Sequence, residues 1–312
     1  MNIPGDLDIW VLAGQSNMEG CGLLKDSLEP DPRVYCFTSA GNWEVAKDPL
    51  HKFWESFTPV HQNFMKDWIP EDQKHLSYEE LAQLELKTRV CGSGLGISFG
   101  KVMADATGRP VGLIAAAHGG TSLDQWSPAL KDQGGNSLYG AMLERIKRAG
   151  GNLKGVLWYQ GESDASPDLA ATYAQRMDNW IAEMRADVGI PDLPFIAIQI
   201  SRFILKDQQL GQYWEAIRDI LRTIPDRVPN TAVTSAIDLS LDDGIHISTE
   251  SQNRLGRRVA RLALHLTEKP EIPVGPVVEK IAVAEPDRTQ GVLKVVCSGV
   301  TGGWKVKQNM RG

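Results

Sequence analysis

Cysteine is scarce in this 312-residue chain: Cys21, Cys36, Cys91 and Cys297 are its four, and none falls in CxxC or another metal-binding spacing. Four thiols in a chain this long make no disulfide framework, so they read as buried or incidental. Long apolar runs are missing as well. No stretch approaches the roughly 18 apolar residues that suggest a membrane span, and the start MNIPGDLDIW lacks the basic region and apolar core of an export signal. A chain from which such a segment had been cut would look the same, so the compartment stays open. Positive charge is not in excess either. The formal net charge of −6 disfavours nucleic acid or an anionic membrane surface as a main partner and leaves a small neutral ligand as the better fit.

What the chain does have is alternation. Short apolar runs at 8–14, 33–38, 111–117, 153–160, 194–200 and 230–237 are separated in many places by segments of helical composition, at 96–105, 137–149, 167–187, 208–223 and 249–266. Runs such as VGLIAAA and LPFIAIQI do not alternate polar with apolar residues, which suits strands covered on both faces and so a mainly parallel sheet. The last helical segment opens with Thr249 and Gln252 in capping-box spacing and sets Leu255, Val259, Leu262 and Leu266 on one face. The expectation is a doubly wound, flavodoxin-like three-layer α/β/α fold of about five strands.

Two regions interrupt this pattern. The segment 43–89 carries Trp43, Phe53, Trp54, Phe57, Phe64, Trp68 and Tyr78 among polar residues and is longer than an ordinary βα connection. It reads as an insertion near the mouth of a site, or else as a structural lobe covering a sheet edge. Beyond Leu266, two β-like runs joined by EPDRTQ read as a hairpin too small to stand alone. The domain limits are therefore 1–266 for the main domain and 267–312 for a short β extension.

The stretch GQSNMEG follows the first apolar run directly, and ligand sites in such folds lie beyond the carboxyl ends of the strands. Ser16 is thus a candidate nucleophile, and a serine hydroxyl needs a base. Of the six histidines, His51, His61 and His75 lie in the insertion and His265 late in the last helix, which leaves His118 at a strand end and His246 in LDDGIHIS. Asp243 stands three residues before His246. A loop can curl so that this carboxylate accepts the Nδ1 proton of the imidazole and leaves Nε2 facing a serine.

GQSNM at 14–18, WEVAKDPLH at 43–51, GGTS at 119–122, WYQGESD at 158–164 and DGIH at 243–246 occur in that order. Together they closely resemble the SGNH-hydrolase superfamily, in particular its branch of sialate O-acetylesterases and carbohydrate esterase family 6, the acetylxylan-esterase-like proteins. Ser16 is not in a GxSxG elbow, because position 18 is Met, which argues against the α/β-hydrolase fold. The resemblance implies an esterase with Ser16 as nucleophile, His246 as general base and Asp243 as orienting acid, with Glu162 as the rival acid. It implies an oxyanion hole from the N–H groups of Ser16 and of Gly120 or Gly119, completed by Gln160 where many relatives carry Asn. No metal or organic cofactor is implied. Gln15, Asn17 and Trp126, with the tryptophans of the insertion, are the expected substrate contacts. The implied substrate is an acetylated carbohydrate, acetylxylan-like first and O-acetylated sialic acid second. A non-catalytic glycan-binding protein on the same scaffold is the alternative of another class.

Overall fold

The fold comes from a computed structural model that describes residues 5–66, 69–204, 207–287 and 290–300. Trp68 of the insertion and the tail 301–312 lie outside the described residues.

Strand β1 (Asp8–Gly14) runs into the single-turn helix α1 (Ser16–Glu19) and the short β2 (Gly22–Leu23), and β3 (Val34–Phe37) and β4 (Trp43–Val45) follow as a hairpin. Helices α2 (Pro59–Lys66) and α3 (Tyr78–Thr88) lead to β5 (Cys91–Ser93), which pairs antiparallel with β2. Next come α4 (Gly96–Thr107), β6 (Val111–Ala115), α5 (Leu138–Ala149), β7 (Asn152–Tyr159) and α6 (Pro167–Val188). Then follow β8 (Phe195–Gln199), α7 (Gln208–Arg222), α8 (Ile224–Arg227), β9 (Thr231–Ser235) and α9 (Thr249–Thr267). Beyond it, β10 (Val277–Asp287) and β11 (Gln290–Ser298) form an antiparallel hairpin of their own.

The central sheet has seven strands in the order β4-β3-β6-β1-β7-β8-β9, parallel throughout except for the antiparallel edge strand β4. This is more than the five expected. Set aside β3 and β4, and the remaining strands run in the flavodoxin order, second-first-third-fourth-fifth. The extra pair is a hairpin laid beside β6, so the region beginning at Trp43 is partly a piece of the sheet. Trp43 packs against Phe37 and donates its indole N–H to the Ala149 carbonyl, on the sheet edge. The chain reverses direction across the sheet between β1 and β7, and the crevice there opens at their carboxyl ends.

Every residue of β1 and β6 is buried, as strands covered on both faces require. Helices α4 and α9 cover one face, and α5, α6 and α7 the other, where Trp158, Trp180 and Phe195 form a tilted aromatic cluster. The apolar face of α9 is the expected one, with Leu255, Val259 and Leu262 buried. Its cap lies one residue earlier than the spacing suggests: Ser248 accepts the Ser251 N–H, while Thr249 donates to the Leu23 carbonyl and Gln252 to that of Asn17. Those two side chains are thus tied to the segment after β1.

Helices α4 and α9 meet closely at Gly256, where an added Cβ would lie 1.9 Å from Ser98 Oγ and 2.4 Å from the Leu95 carbonyl oxygen. The backbone carbonyl cannot swing aside. Gly256→Ala is therefore expected to destabilise the fold by about 1–3 kcal/mol, through overpacking, in denaturant unfolding. An unchanged midpoint would mean that the two helices separate freely.

Candidate active site

Gly14 ends β1 with φ +127°, and a Cβ there would lie 2.2 Å from the Tyr159 carbonyl oxygen. Only glycine fits, on both counts. The chain then turns so that Gln15 donates its N–H to the same Tyr159 carbonyl and Ser16 starts α1 at the sheet crevice.

The histidine comes from the loop before α9. Asp242 N–H bonds the His246 carbonyl, Asp243 Oδ1 accepts the N–H groups of Ile245 and His246 at 2.8 and 2.7 Å, and its Oδ2 lies 2.6 Å from His246 Nδ1. Asp-x-x-His thus curls as its spacing suggests. His246 Nε2 faces Ser16 Oγ at 2.9 Å. Partial burial pushes the Asp243 carboxyl up, but the Ile245 N–H and the His246 ring outweigh it and leave the group below its usual range. Glu162 stands elsewhere: its Oε1 accepts the Asn17 amide at 3.0 Å, its Oε2 is buried without a partner among the described residues, and burial raises its proton affinity. In this geometry Asp243, and not Glu162, meets the imidazole.

The Ser16, Gly119 and Gly120 backbone gathers at the same point. Gly119 lies against Ser16, and its N–H donates to Glu19 Oε2 at 3.0 Å. The N–H groups of Ser16 and Gly120 donate to no acceptor among the described residues, so they can receive a negatively charged oxygen. The cleft they border measures about 600 Å³ and is walled by Phe53, His118, Phe203, Leu210, Trp214 and Ile245, with Glu19, Glu85, Arg89 and Glu162 as its charged lining.

Three expected site residues serve differently. Gln160 is fully buried; its amide donates to the Thr121 carbonyl at 3.0 Å and to Asp164 at 2.6 Å, and its Oε1 accepts from the Tyr173 hydroxyl. Both amide hydrogens are engaged, so it has no donor left for an oxyanion. Trp126 is likewise fully buried, with its indole N–H on Thr121 Oγ1, and cannot stack on a sugar. Asn17 is enclosed too: it bonds Glu162, the Ile245 carbonyl and the Ile247 N–H, which makes it a brace for the histidine loop. Gln15 lines the cleft, with its Oε1 accepting from Gly161 and Ser163 N–H groups.

His118, the other histidine at a strand end, turns its Nδ1 to His61 Nδ1 at 2.6 Å and stacks on Phe53 at 4.3 Å. Among the described residues the insertion reaches the cleft through Phe53, Glu85 and Arg89, and Trp54 packs on Tyr78 instead. Glu19, Arg89, Phe203 and Trp214 were not singled out as site residues from the sequence. Only the position of Glu19 in GQSNMEG, three residues after Ser16, carried a signal.

Burial holds the His118 imidazole down at about 3, and burial with the Arg145 charge does the same for His51; His61 is also pushed well down. Burial lifts Glu19 to about 7, against the charge of Arg89 and the Gly119 N–H. In the unfolded chain these histidines gain protons below about pH 6.5 while the folded ones stay neutral, so acid destabilises the fold through them. Glu19 acts in the opposite sense. Between its ordinary 4.5 and about 7 the folded state holds the extra proton, so its contribution improves as pH falls. Two pH units of that window are worth about 3 kcal/mol. Glu19→Gln is therefore expected to lose stability between pH 7 and pH 5 more steeply than the wild type by up to about that amount in urea titrations. Parallel curves would show that Glu19 holds no such proton.

Residues 6–265 match the profile of a carbohydrate esterase family described as sialic acid-specific acetylesterase. The chain is 27% identical over 281 residues to the probable carbohydrate esterase of Arabidopsis thaliana, covering 82% of this chain and 90% of that one. Human sialate O-acetylesterase is 25% identical over 308 residues, covering 88% of this chain but 56% of that one, so the chain spans little more than half of that relative. The solved structure of the Arabidopsis protein superposes with a TM-score of 0.63 over 83% of this chain and 98% of its own, at 27% identity. A carbohydrate acetylesterase from Xanthomonas citri shares the fold with a TM-score of 0.63 over 93% of this chain and 62% of its own, at 23% identity. The chain belongs to the sialic acid-specific acetylesterase family of carbohydrate esterases, which are carboxylic ester hydrolases.

Proposed function

We propose that the chain is a serine esterase that removes O-acetyl groups from carbohydrates through an acetyl-Ser16 intermediate. The observation that carries this reading is the run of short contacts from Ser16 Oγ to His246 Nε2 at 2.9 Å and from His246 Nδ1 to Asp243 at 2.6 Å, at the floor of an open cleft. His246 takes the hydroxyl proton as Ser16 Oγ attacks the acetyl carbonyl carbon, and Asp243 stabilises the imidazolium that forms. The carbonyl oxygen becomes an oxyanion facing the Ser16 and Gly120 N–H groups. Collapse breaks the bond to the sugar oxygen, which leaves with the proton from His246. Water then attacks the acetyl-serine, giving its proton to His246, and acetate departs as Ser16 regains a proton. Asp243 is the triad acid in this reading and Glu162 is not.

Within that class, a neutral acetylated sugar of the acetylxylan type is the favoured substrate. A sialate carboxylate would call for an uncommitted cation. Arg33 is paired with Asp31 and Asp105, and neither it nor Arg202 is among the residues that line the cleft. Arg89 borders the cleft but is paired with Glu19 and Glu85. Phe53, Phe203 and Trp214 supply the apolar wall that the C–H face of a pyranose would meet.

Ser16→Ala is expected to lower the hydrolysis of p-nitrophenyl acetate by about 10³-fold or more, and Asp243→Asn to cost at least about tenfold more than Glu162→Gln. Equal rates for wild type and Ser16→Ala would leave a glycan-binding protein as the better reading. Acetate release measured side by side on acetylxylan and on O-acetylated sialic acid tests the substrate. Faster release from the sialic acid would overturn the preference for a neutral sugar.

A further inference from the structure

Glu19 is a costly residue where it stands. Its side chain is 12% exposed, and burying a paired carboxylate is seldom better for stability than an apolar side chain of the same size. Its two oxygens have separate partners. Oε2 accepts the Gly119 N–H at 3.0 Å, and Oε1 accepts from Arg89 Nη2 at 3.0 Å. Arg89, at the end of α3, fixes that side: its Nε donates to the Cys91 carbonyl at 2.9 Å, and its Nη1 to the His51 carbonyl at 3.0 Å and to Glu85 at 2.8 Å. The His51 ring continues the connection, with Nδ1 at 2.9 Å from the Glu19 carbonyl and Nε2 accepting the Ala117 N–H at 3.1 Å.

Accepting from Ala117 fixes His51 as the Nδ1–H tautomer, which then donates to Glu19. The exit of β6 is thus held at two points, Ala117 and Gly119, by groups tied to α1. Gly120 follows directly, borders the cleft and keeps its N–H unengaged among the described residues.

Resting on the esterase reading above, we infer that Glu19 is a positioning residue for the oxyanion hole. Its carboxylate fixes the Gly119 peptide so that the Gly120 N–H faces the reacting carbonyl, and Arg89 fixes the carboxylate. The insertion therefore acts on the reaction through a chain of three groups, Arg89 to Glu19 to Gly119, without touching the substrate's acetyl group. Such a residue affects the transition state more than the bound ester, because the oxyanion exists only after attack.

The test is steady-state hydrolysis of p-nitrophenyl acetate by the full chain, with the rate of Ser16→Ala subtracted and the thermal midpoint of each variant recorded. Glu19→Ala is expected to lower kcat by about 10- to 100-fold with KM changed by less than about threefold. Glu19→Gln, whose amide oxygen can still accept the Gly119 N–H while its NH2 faces the Arg89 guanidinium, should recover part of that loss. Arg89→Ala should lower kcat by about three- to tenfold, and the double variant Glu19→Ala/Arg89→Ala should be no slower than Glu19→Ala alone, since Arg89 acts through Glu19.

A kcat for Glu19→Ala within threefold of wild type would overturn the inference, as would a Glu19→Gln variant as slow as Glu19→Ala or losses that multiply in the double variant. Should Glu19→Ala fail to fold, Arg89→Ala decides: an unchanged kcat overturns the inference and a lowered kcat at steady KM supports it. If wild type and Ser16→Ala do not differ at all, the esterase reading has failed and this inference with it. An active wild type with an unaffected Glu19→Ala condemns this inference alone.

Discussion

The hydrogen bonds of the Asn17 amide hold together two parts of the chain that are 230 residues apart. Its Oδ1 accepts the Ile247 N–H at 3.1 Å and its Nδ2 donates to the Ile245 carbonyl at 3.1 Å, so one side chain grips the main chain on both sides of His246. Closing so long a connection is expensive in entropy, though the cost grows only slowly with length. The parallel sheet meets most of it, because β1 and the return through β9 into α9 are already packed. What remains is a short-range problem, and Asn17 answers it from one residue beyond Ser16. Ser201 adds a second hold by donating to the same Ile245 carbonyl at 2.9 Å. An amide with all its partners inside the protein is a strong constraint, since releasing any one of them would leave a buried polar atom unpaired.

The same economy governs the other polar residues at the crevice. Gln160, Asp164, Tyr173 and Arg176 form a closed set: Asp164 accepts the Leu123 N–H, the Gln160 amide and Arg176, while Tyr173 serves both oxygens of Gln160. Its products are the fixed positions of the Thr121 carbonyl and the Leu123 N–H, the turn just after Gly120. Such networks specify geometry when every member is satisfied. They also explain why the polar motifs that flank the site point inward. Within GQSNM and WYQGESD, Asn17, Gln160 and Asp164 are spent on holding the loops, while Ser16 is open to the cleft.

That proportion sets what could be read from the sequence. The strands were legible because runs such as VGLIAAA carry no alternation, and the Asp243–His246 pair because three residues of a tight loop suffice to join them. Ser16 stood out as a hydroxyl just past a strand. The run 33–38 marks β3, but its partner β4, Trp43–Val45, is three residues long and half-exposed, with no periodicity to detect, so the hairpin does not show. The resemblance points Gln160 at the oxyanion, and the flat face of an indole points Trp126 at a sugar. Whether an amide or an indole is spent within the protein depends on partners such as Thr121, and no local pattern in the sequence reports that. Glu19 and Arg89 are 70 residues apart, and neither residue type by itself indicates a buried pair.

The three buried histidines beside the cleft are best understood as neutral aromatic rings that also make hydrogen bonds. A phenyl ring in place of His51 would keep the packing on Phe53 but would strand the Ala117 N–H and the Glu19 carbonyl, two buried main-chain groups at the heart of the site. An amide there could serve both groups but would lose the aromatic edge against Phe53. His61 and His118 make the same combination, stacking at 4.9 Å on each other and sharing a hydrogen bond between their Nδ1 atoms. Of two facing Nδ1 atoms one must donate and the other accept, so the rings adopt opposite tautomers, and a proton added to the accepting atom would set two donors face to face. The accepting ring must therefore stay neutral, and burial keeps both rings so. A hydrogen-bonding aromatic wall kept uncharged leaves Arg89, itself held by Glu19 and Glu85, as the permanent cation among the described residues of the cleft lining.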